Sequence, residues 1–204
     1  MMNTTIQNKP RHDARARNQS ERGTTLIELM ISMLILAIGM GALTTLLATV
    51  LQSNNKNNKD TAASLLAQMV IEQITAQHPN SASSISVTDC AGNAFTIATA
   101  GGAAPNGAGA TLVTNSSSLN YGGIDTTQSY SSITAGYAMK YVDCGTPSNG
   151  GTPTTYDVRW NVMTIDTNQT RLVTASARPA NISSGLLGGP MFAMPVTLRA
   201  VGGP

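Results

Sequence analysis

The apolar run Leu29–Leu51, together with the residues leading into it, Arg22-Gly23-Thr24-Thr25-Leu26-Ile27-Glu28, constrains this chain more than any other feature. The run carries no charge and can cross a bilayer core, which takes about 20 apolar residues. It outruns the roughly 7–15 residues of a secretory h-region, and no Ala-x-Ala cleavage site follows it. Glu28 sits on its border. A carboxylate at membrane depth is costly unless it is compensated, so Glu28 calls for a cationic partner. A cut after Gly23 would make one, because the α-amino group of Thr24 is a cation at neutral pH and lies one helical turn away.

Charge counted on each side of the run sets its direction. Lys9, Arg11, Arg15, Arg17 and Arg22 stand against Asp13 and Glu21 before it, while Lys56 and Lys59 are the near cations beyond it. The bias predicts a cytoplasmic N-terminus, with the rest of the chain in a periplasm or outside the cell. The sequence pI of 8.7 belongs mostly to the first 22 residues, so it carries no argument for nucleic-acid binding by the remainder.

In such an oxidising space the two cysteines, Cys90 and Cys144, are expected to pair rather than remain free thiols. The bridge would add roughly 4 kcal/mol by the loop-entropy relation. A metal site lacks ligands, since the histidines are His12 and the isolated His78.

Beyond the run, the polar segment Gln52–Asp60 contains neither Pro nor Gly, and helix is expected to continue through it. Ala62, Leu65, Leu66, Met69, Val70 and Ile74 then recur at three- and four-residue steps, which predicts an amphipathic half stopped by Pro79-Asn80. A single helix from Thr24 to about His78 would be roughly 80 Å long. Its first half would need lipid or other helices on every side. Gly39 and Gly41 in that half could ease close helix contact or be ordinary membrane-helix glycines.

From Ser81 onward the chain is rich in Ser, Thr, Gly and Asn, with short β-branched runs. Strands are expected at Ala94–Thr99, Ala110–Thr114, Ala138–Asp143, Thr155–Ile165, Thr170–Ala177 and Phe192–Val201. The period-two pattern of Tyr156–Val162 marks a half-buried strand, and Asp166-Thr167-Asn168-Gln169 reads as a hairpin loop. Ala100–Gly109 and Gly145–Pro153 read as flexible surface loops. The predicted fold class is α+β, a long N-terminal helix with an apolar and an amphipathic half packed on a C-terminal antiparallel sheet. The expected divisions are a basic leader at 1–23, an apolar helix at 24–52, an amphipathic helix at 53–79 and a β-rich domain at 80–204.

No Ser/His/Asp, paired-carboxylate or cofactor grouping is recognisable, so the chain is not expected to be an enzyme or to hold a cofactor. Trp160 and Tyr156 are expected in the core rather than on a binding platform. A basic stripe for nucleic acid would require Arg159, Arg171, Arg178 and Arg199 to cluster, and no nucleic-acid partner is expected.

The segment from Gly23 to Leu51 resembles the type IV pilin family: a basic leader ending in Gly23, a Glu four residues after Thr24, then an apolar helix. The resemblance implies the type IV pilin-like fold. It also implies that a prepilin peptidase cuts between Gly23 and Thr24 and methylates the new amine, and that Glu28 pairs with an N-terminal amine when subunits stack. The run Ile35–Leu43, the residues Ala63, Ala67, Met69 and Glu72, and the Tyr156–Val162 strand followed by Leu172-Val173-Thr174 look like PilV-type minor pilins. Major pilins commonly carry a proline inside the apolar half where this chain has Thr45, and the family usually begins its mature chain with Phe where this one has Thr24. The implied role is a minor pilin that primes assembly or caps a type IV pilus. Its implied partners are other major and minor pilins, the prepilin peptidase, an inner-membrane assembly platform and, before assembly, membrane lipid. A minor pseudopilin of a type II secretion system and a DNA- or surface-binding tip protein are the alternatives.

Overall fold

The structure is a computed structural model that describes residues 23–78, 83–114, 120–145, 153–166, 170–180 and 194–202. It divides into two compact units, 1–49 and 50–204. The element order is α1 (Leu26–Thr75), β1 (Ser84–Thr88), β2 (Ala94–Ala98), β3 (Gly102–Ala103), β4 (Ala108–Gly109), β5 (Leu112–Thr114), β6 (Asn120–Ile124), a 3-10 turn (Tyr130–Ser132), β7 (Ala138–Asp143), β8 (Thr154–Thr164), β9 (Arg171–Pro179) and β10 (Val196–Gly202). One long N-terminal helix and a C-terminal sheet make the α+β architecture expected.

Thr25 starts α1. Its hydroxyl accepts a hydrogen bond from Glu28 N at 3.3 Å, and its carbonyl accepts from Glu28 N and Leu29 N at 3.0 and 3.2 Å. This is an N-cap whose third helical position is an acid. In the first unit the large apolar side chains, from Leu26 through Met33 and Leu43 to Leu47, are exposed. The hydroxyls of Ser32, Thr44, Thr45 and Thr49 donate to the carbonyls of Glu28, Gly41, Ala42 and Thr45 at 2.7–2.9 Å. Each of these hydroxyls thus folds back on its own helix, leaving the surface beyond Glu28 apolar all round.

In the second unit α1 buries Ala63, Leu66, Ala67, Val70, Ile71 and Ile74. The stripe is turned by about one residue from the expected one: Leu65 is 61 % exposed, and Ala62 and Met69 lie at the margin. Ala63 and Ala67, which take the place of Ala62 and Leu65 on the buried side, are 1 % and 0 % exposed. The helix ends at Thr75, and a tightened turn follows, with Ala76 N bonded to Glu72 O at 2.9 Å and Gln77 N to Ile74 O at 3.2 Å. Pro79 and Asn80 lie outside the described residues.

The main sheet runs β10-β9-β8, with β7 and the short β3 and β4 on the far side of β8. All pairs are antiparallel except β3 with β8. Tyr156, Val158, Trp160 and Val162 of β8 join Val173, Ala175 and Ala177 of β9, Met139 of β7 and the α1 stripe in one core. Trp160 and Tyr156 are core residues as expected, and Trp160 Nε1 donates to Ala98 O at 3.1 Å. Burial pushes the Tyr156 phenol up to about 12, with Asp143 and Asp60 adding to the shift, so it stays neutral in the core.

Four expectations are corrected. The Tyr156–Val162 strand is buried on both faces, because Asp157, Arg159 and Asn161 are only 7 %, 4 % and 2 % exposed. Ala100–Gly109 is no flexible loop: it supplies β3 and β4 to the edge of β8. There Gly107, at φ +68°, leaves the space in which Asn161 Nδ2 reaches Asn106 O at 2.9 Å and Ala110 O at 2.8 Å, and a Cβ would collide with the Asn161 side chain. The expected Ala110–Thr114 strand is shortened to Leu112–Thr114. The last strand begins at Val196, after Pro195, which has no N–H to give a ladder. Residues 146–152 of the second expected loop, 167–169 of the hairpin loop, and Phe192 and Ala193 lie outside the described residues.

Candidate functional site

The segment read from sequence as the site lies at the start of α1. Gly23, Thr24 and Thr25 precede the helix without regular structure, and every residue from Gly23 to Leu51 is exposed. Glu28 occupies the third helical position, where an acid complements the helix dipole and the free N–H groups of the first turn. Among the described residues Glu28 makes no ion pair. In the uncut chain the Thr24 nitrogen is an uncharged amide, so the Glu28 carboxylate has no adjacent cation on its own helix. Cleavage after Gly23 would turn that amide into an ammonium group one turn away. The site is therefore built from a capping residue, an acid and an apolar rod.

A second assembly of polar groups sits on the outer face of the sheet, and sequence reasoning foresaw it only as a possible basic cluster. Arg159 forks onto Asp157 with contacts of 2.8–3.1 Å, and its remaining nitrogen donates to Gln128 O at 2.7 Å and Asp125 O at 3.3 Å. Arg178 donates to Thr126 O at 3.0 Å and reaches Asp157 at 3.4 Å. Arg199 Nε donates to Gly122 O at 2.9 Å and lies where a Cβ on Gly122 would stand. Three neighbouring strands thus use arginines to hold the segment 122–128 by its carbonyl groups. Arg171 turns elsewhere, to Thr99 O at 2.7 Å and to the His78 carbonyl. The structure brings Arg159 and Arg178 together on one carboxylate, and Arg159 and Arg171 are both buried, so the four do not form a basic stripe.

Cys90 and Cys144 form a disulfide, joining the turn after β1 to the end of β7 across a sequence separation of 54. Asp89 stands beside it. Burial opposes its charge, but hydrogen bonds from the Asn93 side chain and backbone at 2.8 Å, Val142 N at 3.2 Å and Ala91 N at 3.0 Å prevail and hold its carboxyl below the ordinary range. No run of β-branched residues or metal-like spacing marks Asp89 in the sequence. Its local signal is the Asp-x-x-Gly-Asn turn composition of Asp89–Asn93.

The family model described as the prokaryotic N-terminal methylation motif matches residues 18–44. No curated protein and no solved structure matches the chain. The matched stretch contains the end of the basic segment, the Gly23-Thr24 bond, Glu28 and the first part of the apolar helix, and its pilin-type character fits a membrane-anchored chain of pilin or pseudopilin kind. Over residues 18–44 the chain thus carries a prokaryotic N-terminal methylation motif, the class III signal of type IV pilins.

Proposed function

We propose that this chain is a minor pilin, a structural subunit that waits in the inner membrane, with its N-terminus cytoplasmic, and then joins a type IV pilus to prime assembly or cap the fibre. The observation that carries the reading is the start of α1: an apolar rod exposed on every side, whose lone charge, Glu28, follows the Gly23-Thr24 bond by one turn. Prepilin peptidase cuts that bond and methylates Thr24. The leader, 1–23, leaves with five of the chain's basic residues. Transfer from membrane to fibre exchanges lipid for neighbouring apolar helices, so burial supplies little selectivity and packing must be joined by a specific charge pair. Glu28 supplies it by taking the N-terminal amine of an adjacent subunit. Thr45, in place of the proline of major pilins, and the PilV-like residues Ala63, Ala67, Met69 and Glu72 favour a minor role.

The test is Glu28→Ala in cells that make fibres. The variant is expected to insert in the membrane at the wild-type level and to be absent from sheared fibres. Incorporation at the wild-type level would contradict the charge-pair mechanism.

A further inference from the structure

The Cys90–Cys144 bridge ties the turn between β1 and β2 to the end of β7, and one side chain holds both of the segments it joins. Asp89, 5 % exposed, immediately precedes Cys90. Its Oδ1 accepts from Ala91 N at 3.0 Å and Asn93 N at 2.8 Å, which fixes the turn in which Cys90 stands. Main-chain bonds close the same turn, from Gly92 N to Asp89 O at 3.1 Å and from Asp89 N to Asn93 O at 3.0 Å. Its Oδ2 accepts from Asn93 Nδ2 at 2.8 Å and, from the facing strand, from Val142 N at 3.2 Å, just ahead of Cys144. On the carbonyl side of the same residue, Cys90 Sγ lies 3.0 Å from Val142 O. None of the carboxylate's hydrogen bonds needs the S–S bond, so all of them are open to the dithiol.

We propose that Asp89 is the positioning residue for oxidative closure of this bridge: it seats Cys90 beside Cys144 before the sulfurs join. An ionised carboxylate is an acceptor alone and can take every one of these N–H donors, whereas an amide in its place would turn an NH2 group against some of them. Cys90 is exposed and Cys144 half-buried, so an external disulfide oxidant such as oxidised glutathione meets Cys90 first. The Cys90 thiolate attacks one sulfur of the oxidant, and the other sulfur leaves as a thiolate. The Cys144 thiolate then attacks the Cys90 sulfur of the mixed disulfide, forming the bridge and expelling the second thiolate. Two electrons pass to the oxidant, and its two thiolates take up the two protons that the cysteines release. The closing step is intramolecular, so its rate rests on how closely the two sulfurs are held. The charge of Asp89 acts in the opposite sense, because a carboxylate beside a thiol disfavours the thiolate. Positioning and charge therefore give Asp89→Asn opposite effects on closure. The inference concerns the folded second unit and is independent of the pilin reading.

The test uses the full-length chain in detergent, reduced and then exposed to oxidised glutathione. Cys90 and Cys144 are its only cysteines, so acid quenching and mass analysis resolve dithiol, mixed disulfide and bridged chain. The parent is expected to close from the mixed disulfide at least about tenfold faster in native buffer than in denaturant. Asp89→Asn is expected to slow closing in native buffer by about tenfold and to leave the rate in denaturant unchanged. Ala67→Leu, which strains the core but leaves the turn intact, is expected to close at the parent rate. Asn93→Ala removes the Nδ2 bond and keeps the carboxylate, so it is expected to slow closing by a smaller factor, and it decides the matter if Asp89→Asn does not fold. Parent closure as slow in buffer as in denaturant, Asp89→Asn at or above the parent rate, equal slowing by Ala67→Leu, or no slowing by Asn93→Ala would each overturn the inference.

Discussion

At the residue scale the buried Asp157–Arg159 pair holds the outer layer in place. Its side chains are 9 % and 5 % exposed, and removing one partner leaves the other charge unpaired and out of water. Asp157→Ala should cost about 3–5 kcal/mol, whereas replacing both residues by apolar ones of like volume should cost much less. Chemical unfolding of the full chain in detergent, comparing the single and the double replacement, checks this. Asp89 makes a pH-dependent contribution. Its folded-state pKa lies below the ordinary 3.8, so its stabilisation is complete above that value and is lost as pH falls through the lower folded value. Asp125, lowered by hydrogen bonds from the Thr127 side chain and backbone against the opposing effect of burial, acts in the same sense. Asp89→Asn should lower the melting temperature at neutral pH and converge with the parent in strong acid. Thermal midpoints measured between neutral and strongly acidic pH distinguish this from a pH-independent loss.

At the element scale α1 was the most legible part of the chain. Two different periodicities, apolar all round and then apolar on one stripe, follow directly from Leu29–Leu51 and from the spacing of Leu66, Val70 and Ile74. The rotation of the stripe was not legible, because Leu65 is more hydrophobic than Ala63 and Ala67, yet it is the two alanines that are buried. Ala67, fully buried, should not accept a larger side chain: Ala67→Leu is expected to cost about 1–3 kcal/mol. Leu65→Ala should change stability by less than about 0.5 kcal/mol. Thermal unfolding of the two variants reads the difference, and equal losses would restore the unrotated stripe. β8 and β9 were legible from β-branched residues, whereas burial of the polar face of β8 was hidden. It depends on the segment 122–128, reached by Arg159, Arg178 and Arg199 from strands distant in sequence. β1 had a period-two signal in Ser84-Ile85-Ser86-Val87-Thr88 that could have been read, while Gly122 and Gly123 in β6 masked that strand.

At the scale of the whole molecule the chain combines a helix whose first half is exposed among the described residues and a folded unit with its own core, disulfide and buried ion pair. The first is long and apolar enough to cross a membrane. The methylation motif matched over residues 18–44 was legible in sequence, because the roles proposed for Gly23, Thr24 and Glu28 depend on order along the chain rather than on a pocket. The measurement that tests the account most directly is the mass and N-terminal sequence of the protein recovered from membranes and from sheared surface fibres, in cells with and without prepilin peptidase. The account predicts a peptidase-dependent start at a methylated Thr24, with processed chain in the fibre fraction. An intact Met1 terminus confined to membranes in both strains would contradict it.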